Sequence, residues 1–169
     1  MKPFVVPVAD LVNRPGARRR ERVEGRLGAP VKVVDTQLSA EVPAVVDAVF
    51  EWVSDGLLAT GTVEGGWEAP CRRCLKPAHG DLRVEVQELF EPHPREGESY
   101  RLGHDTVDLE PLAREALTLD LPLAPLCRED CRGLCPTCGA DRNLGGCDCP
   151  PAEADARWAA LDVLKTQPE

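Results

Sequence analysis

Cysteine is the residue that most constrains what this chain can fold into. Eight occur in 169 residues, and they are grouped: Cys71 and Cys74, then Cys127, Cys131, Cys135, Cys138, Cys147 and Cys149. Two sulfurs separated by two residues can reach one ion from a single tight turn. The chain has this twice, in Cys71-Arg72-Arg73-Cys74 and in Cys135-Pro136-Thr137-Cys138-Gly139. Eight thiolates suffice for two structural four-cysteine zinc sites. Structural zinc binding contributes on the order of 10 kcal/mol at neutral pH, so much of the fold is expected to hang on metal.

Other cysteine chemistries fit less well. The run Cys127-x3-Cys131-x3-Cys135-x2-Cys138 is not the x2, x2, x3 spacing of bacterial ferredoxins. The triad Cys131-x3-Cys135-x2-Cys138 matches a radical-SAM cluster, but that would need a larger barrel and leaves five cysteines without a role. The apolar stretch at the N-terminus is short and broken by Pro3 and Pro7, unlike a signal peptide, and no run approaches a membrane span. A cytoplasmic protein is expected, where reduced thiols favour metal over disulfides.

Two pairings remain open. In one, Cys135, Cys138, Cys147 and Cys149 form a local site, and Cys71, Cys74, Cys127 and Cys131 form a second. In the other, Cys71 and Cys74 join Cys135 and Cys138, leaving Cys127, Cys131, Cys147 and Cys149. Closing a separation near 60 residues instead of about 9 costs roughly 1.5–2 kcal/mol more, which favours the local pairing. In that pairing the first site staples a hairpin tip to the segment after a helix, and so holds the sheet to the C-terminal module. Four thiolates leave no open coordination position, so both sites read as structural.

The surrounding pattern predicts an α+β fold. Its sheet is antiparallel or a partly open barrel, with a zinc knuckle at a hairpin tip, one or two short helices and a C-terminal cysteine-rich module. Val46, Ala48, Phe50 and Trp52 share one face of a strand over 45–53. Ser54-Asp55-Gly56 supplies a turn, with a return strand from Leu57 that can continue to Ala69. A third strand spans 82–90. Asp108 caps a helix running to about Leu119, with Leu109, Leu112, Ala113, Ala116 and Leu117 on its buried face. A short tail helix is expected near 155–165, with Trp158, Leu161 and Leu164 able to dock. The whole chain, 1–169, reads as one domain. Its parts are an N-terminal β part (1–91) with a basic mobile loop at 13–32, an acidic flexible linker (92–107), a helix and extended segment (108–126), the zinc module (127–149) and a tail (150–169).

Charge divides the functional readings. The formal net charge is −9, and two four-cysteine zinc centres would take it to −13. The overall field therefore repels nucleic acid. Locally, however, seven basic residues lie between Arg14 and Lys32 against two acids. Arg18, Arg19, Arg20 and Arg22 in this cluster, with Arg72 and Arg73 beside the first cysteine pair, are candidate RNA contacts; the plainer alternatives are a solvated loop and charge compensation for the thiolates. His79 is near a cysteine pair, but eight cysteines already fill two sites. Neither a catalytic triad nor a glycine-rich phosphate loop is present, so an enzyme and a small-molecule substrate are not expected.

These motifs carry a resemblance. Cys71-Arg72-Arg73-Cys74-Leu75-Lys76-Pro77, Glu88-Leu89-Phe90, Asp108-Leu109 and the run from Leu119 to Cys127 resemble the YceD family, the large ribosomal RNA subunit accumulation proteins. The resemblance continues through Cys131-Arg132-Gly133-Leu134-Cys135-Pro136-Thr137-Cys138-Gly139, Cys147-Asp148-Cys149 and Asp155-Ala156-Arg157-Trp158. Ala156 and the stretch Ala140–Leu144 depart from the family's usual residues. The resemblance implies a cytosolic protein needed for large-subunit rRNA to accumulate, and supplies no catalytic residues. The expected partner is large-subunit (23S) rRNA or its precursor, bound on a zinc-stabilised β scaffold. The alternative is an acidic interaction module or chaperone for a basic large-subunit ribosomal protein. No membrane partner is expected.

Overall fold

The computed structural model describes residues 2–54, 56–94, 96–150 and 157. Residues 1–131 form one compact unit, and the chain from Arg132 onward forms a second. The tail helix expected near 155–165 lies outside the described residues except for Arg157.

The first unit is mostly antiparallel sheet with a single helix, as the periodicity predicts. Its spine is three strands: β5 (Ala44–Val53), β6 (Gly56–Pro70) and β7 (Pro77–Glu91). Chain order before them supplies β1 (Val5–Pro7), β2 (Arg18–Gly25), β3 (Lys32–Val33) and β4 (Thr36–Leu38). After them come β8 (Tyr100–Arg101), β9 (Thr106–Asp108) and the helix α1 (Glu110–Asp120). Along one half of β6 the order is β2-β5-β6-β7. The β3–β4 hairpin joins the other half of β6 through Gln37 and Leu38, and β8 adds parallel to the end of β7. β1 and β9 form a separate two-stranded sheet.

Side-chain alternation sorts the sheet into two faces. Val46, Ala48, Phe50 and Trp52 of β5 are buried, as expected from period-2 patterning. They join Phe4, Leu57, Val63, Leu82, Phe90 and the apolar stripe of α1 in one hydrophobic cluster. Leu109, Leu112, Ala113 and Leu117 are the buried residues of that stripe, with Ala116 partly buried at its margin. Leu109 is the N-cap of the helix and Asp108 stands one residue before it, its Oδ1 accepting the Glu110 N–H at 3.0 Å; Pro111 lies in the first turn, where its missing N–H costs nothing. Gly61 lets β5 and β6 close, since a Cβ there would lie 2.1 Å from the Asp47 carbonyl oxygen.

Three expectations need correction. The basic segment at 13–32 is not a loop throughout, because Arg18–Gly25 forms β2 and pairs antiparallel with β5. Arg18 and Arg20 meet Glu51 and Asp47 across the ladder, a partnership invisible to local pattern. The 92–107 segment contributes β8 and the start of β9, although its prolines and glycines suggest a featureless linker. The third strand starts at Pro77 rather than Leu82, so the β6–β7 ladder is continuous from Leu57↔Phe90 to Pro70↔Pro77. The hydrophobic cluster contains no cysteine.

Candidate metal centres

Each cysteine pair sits in a tight turn with the same hydrogen bonds. In the first, the Cys71 N–H donates to the Lys76 carbonyl at 2.8 Å and the Leu75 N–H donates to Cys71 at 2.9 Å. In the second, the Cys135 N–H donates to Ala140 at 2.8 Å and the Gly139 N–H donates to Cys135 at 2.8 Å. The residue after the second cysteine has positive φ in both turns, +63° at Leu75 and +73° at Gly139. Only the second turn uses the residue that accepts this conformation without steric cost.

The long β6–β7 hairpin carries Cys71 and Cys74 at its tip. The segment after α1 brings Cys127 and Cys131 to them, held by the Arg72 N–H on the Pro125 carbonyl at 2.9 Å. Further back, the buried Thr36 hydroxyl donates to the Pro122 carbonyl at 2.8 Å. The four Sγ atoms lie within 4.8 Å of one another, with Cys71–Cys131 at 3.8 Å and Cys74–Cys127 at 3.6 Å. Cys71, Cys74 and Cys131 are buried and Cys127 is exposed.

In the second unit Cys135, Cys138, Cys147 and Cys149 form an equivalent group, also within 4.8 Å. Its loop is knitted by one side-chain amide and one carboxylate. Asn143 Oδ1 accepts the Arg132 N–H at 2.8 Å, and Asp141 Oδ1 accepts the Asn143 N–H at 2.9 Å. The structure thus brings together the cysteines of the local pairing and not those of the crossed one. Neither cluster includes a histidine.

The donor sets fit a tetrahedral ion. Zinc–sulfur bonds of 2.3 Å put the sulfurs of a four-cysteine site ~3.8 Å apart, whereas a disulfide needs about 2.0 Å. Electrostatics prepares one ligand per site. Burial pushes the Cys71 thiol up, but the amides of Cys127, Cys74 and Arg73 outweigh it and bring that thiol to about 6. The amides of Cys138 and Thr137 do the same for Cys135, also to about 6. The opposite ligands are disfavoured as anions: Cys74 and burial push Cys127 up to about 12, and Cys138 and burial push Cys149 up to about 12. A divalent cation would relieve that repulsion.

The six arginines singled out in the sequence do not form one surface. Arg18, Arg20 and Arg22 project from the outer face of β2, about 6.8 Å apart along the strand. Arg18 pairs with Glu51 at 2.8 Å, Arg20 makes two bonds to Asp47 at 2.7 and 2.8 Å, and Arg22 reaches Asp47 at 3.5 Å. Arg19 points to the other face and ties β2 to the N-terminal segment through Asp10 and the Pro7 carbonyl. Arg73 donates to the Cys131 carbonyl at 2.8 Å, clamping the first cysteine cluster; both Arg72 and Arg73 are exposed residues. Sequence alone offered no signal for the Arg73 clamp or the Pro125 and Pro122 anchors, because all three are contacts between distant segments.

Comparison with known proteins places these features. Residues 59–165 match the family described as "Large ribosomal RNA subunit accumulation protein YceD". The chain belongs to the YceD family. Both cysteine groups of this YceD protein fall within the matched range. It is 36% identical to an uncharacterized protein of Mycobacterium tuberculosis, over 94% of this chain and 80% of the relative. An uncharacterized protein of Mycobacterium leprae is 33% identical over 97% of this chain and 79% of its own length. A shorter match, 31% identical over 36% of this chain, is to the chloroplastic large ribosomal RNA subunit accumulation protein YCED homolog 1 of Arabidopsis thaliana, covering 19% of that protein. No solved structure matches. Among the described residues, no helix is long and apolar enough to cross a membrane.

Proposed function

We propose that this protein supports accumulation of large-subunit rRNA as a non-enzymatic cytoplasmic scaffold that binds this RNA or its precursor. Zinc, held by two closed four-sulfur sites, would shape the hairpin tip and the C-terminal unit. The closed donor sets support a structural role for the metal, since four thiolates leave no position for a substrate.

The observation that carries the RNA reading is the row Arg18, Arg20 and Arg22 on an uncovered sheet face. Their side chains are 67%, 73% and 55% exposed, and three cations face only the carboxylates of Glu51 and Asp47. Exposed ion pairs of this kind are worth about 0–1 kcal/mol, so a phosphate can replace the carboxylate at little cost. Arg72, exposed at the hairpin tip, is a second and separate contact. Arg19 and Arg73, engaged within the fold, act as positioning residues.

Replacing Arg18, Arg20 and Arg22 together by alanine should weaken binding to large-subunit rRNA and reduce its salt dependence, read by filter binding at several salt concentrations. Unchanged affinity and slope would remove β2 as the contact surface.

A second reading has its own support. The formal charge of −9, with each β2 arginine already matched to an acid, suits an acidic partner for a basic large-subunit ribosomal protein. Affinity capture after nuclease treatment separates the two: retained ribosomal proteins favour this reading, and loss of all partners favours RNA.

A further inference from the structure

The sheet of the first unit has two long edges, and they differ in charge pattern. Among the described residues, no backbone group pairs with the outer edge of β2, or with that of β7 between Ala78 and Leu89. β8 covers β7 only at Phe90 and Glu91. The stretch of β7 without a backbone partner is twelve residues long, about 40 Å, and beside Val86 and Glu88 it is flanked by residues 97–100 and α1. Such edges are ordinarily blunted by proline, by a bulge or by repeated like charge.

β2 follows that rule. Antiparallel pairing of its edge with another copy about Arg20 would set Arg18 against Arg22 and Arg20 against itself. β7 does not follow it. Its register with β6 is uninterrupted, so it has no bulge, and its proline stands at the first residue. Its exposed face alternates in sign at Asp81, Arg83 and Glu85; Arg83, 67% exposed, already pairs with Glu64 of β6 and would be shared with an acid of the copy. A two-fold axis normal to the sheet at Val84 sets Arg83 opposite Glu85 of the copy, twice. An axis at Leu82 sets Arg83 opposite Asp81 of the copy, also twice. Either arrangement gives opposite charges across the new ladder, which is favourable for directly facing pairs. Axes at Asp81, Arg83 or Glu85 oppose like charges, and only the axes at Leu82 and Val84 set Arg83 directly against Asp81 or Glu85.

We propose that β7 is a self-association edge, pairing antiparallel with β7 of a second copy and held in register by Arg83 against Asp81 or Glu85. The dimer would join the two sheets into one continuous sheet, with the β2 arginine rows at its two far margins. This inference uses neither the cysteine clusters nor the RNA reading.

The test is sedimentation of the zinc-loaded full chain over a concentration series. The wild type should shift from the one-chain mass of 18.4 kDa toward twice that value as concentration rises. Arg83→Glu, which faces acids in both registers, should weaken association at least about tenfold. The double variant Asp81→Lys/Glu85→Lys should do the same by facing Arg83 with lysines. An equimolar mixture of the two variants should restore the dimer, which a misfolded variant could not do. The single variants Asp81→Lys and Glu85→Lys then report which axis is used, by which of them loses the dimer. A wild type that stays at one-chain mass, an Arg83→Glu variant that associates as before, or a mixture that fails to pair would overturn the proposal.

Discussion

Leu75 and Gly139 occupy the same place in two superficially unrelated turns. Each follows the second cysteine of a pair, donates its N–H to the first cysteine's carbonyl and holds φ near +70°. For leucine that conformation costs about 1 kcal/mol or more. The Leu75 side chain is 67% exposed and recovers little by packing. Leu75→Gly should therefore stabilise the first turn by about 1 kcal/mol, raising Tm by about 2–4 °C in a thermal melt of the zinc-loaded protein. Gly139→Leu should act in the opposite direction on the second turn. A Leu75→Gly variant that melts lower would mean that the leucine side chain has a partner worth more than the strain.

If each four-sulfur group holds its own zinc, the two are separable by mutation. Cys71→Ser and Cys135→Ser should each lower the bound metal from two equivalents to one, measured by elemental analysis alongside native mass spectrometry. Binding should also release protons, because most thiols must ionise first. With Cys71 and Cys135 already at about 6, each ion should displace fewer than four protons near neutral pH. Affinity should rise with pH, since fewer protons remain to be displaced, until the thiols held near 12 are the last to resist. Zinc affinity that is flat with pH would contradict thiol ligation.

Adjacent arginines on β2 should behave differently. Arg19 ties the strand to Asp10 and the Pro7 carbonyl, whereas Arg20 lies over the open face. Arg19→Ala should lower Tm by about 2–4 °C and leave RNA affinity nearly unchanged. Arg20→Ala should do the reverse. Equal effects on both readouts would mean that the two faces of β2 are not functionally distinct.

Glu88 predicts a pH dependence of stability. Burial, with the neighbouring Glu115 carboxylate, raises its pKa above the ordinary glutamate value. Between the unfolded and folded values the native state binds more protons, so this group's contribution to stability falls as pH rises from about 4.5. Glu88→Gln keeps the shape and removes the charge. It should raise Tm near neutral pH and change little below about pH 4, where the wild-type carboxyl is already protonated in both states. An equal shift at both ends of the range would point to packing instead of charge.

The legible parts of the fold are those encoded over short spans. Alternation over Val46 to Trp52, the β5–β6 hairpin that sets Val53 opposite Gly56 and the stripe from Leu109 to Leu117 all appear where the periods put them. Cysteine spacing likewise gave the grouping of sulfurs, because loop closure penalises the crossed alternative. β2 was illegible for the opposite reason. Arg18, Arg20 and Arg22 read as solvated charge until Asp47 and Glu51 are placed beside them, and those acids lie more than twenty residues away. The β3–β4 hairpin was missed because its turn uses Val34 at φ +56°, without a glycine to announce it. The ladder of β6 runs unbroken through Gly65 and Gly66, and the two glycines make room for Leu117 and Val42.

The hairpin of β6 and β7 carries sulfur at its tip and aromatic packing toward its other end, with no cysteine in the hydrophobic cluster. The two ends therefore answer to different variables. Chelation should fray amides around Cys71–Pro77 and Pro122–Cys131 while Phe50 and Phe90 stay locked, a contrast that hydrogen exchange resolves residue by residue. Metal scarcity would blunt one end of the molecule without dissolving it, and resupply would restore the tip on a frame that never unfolded.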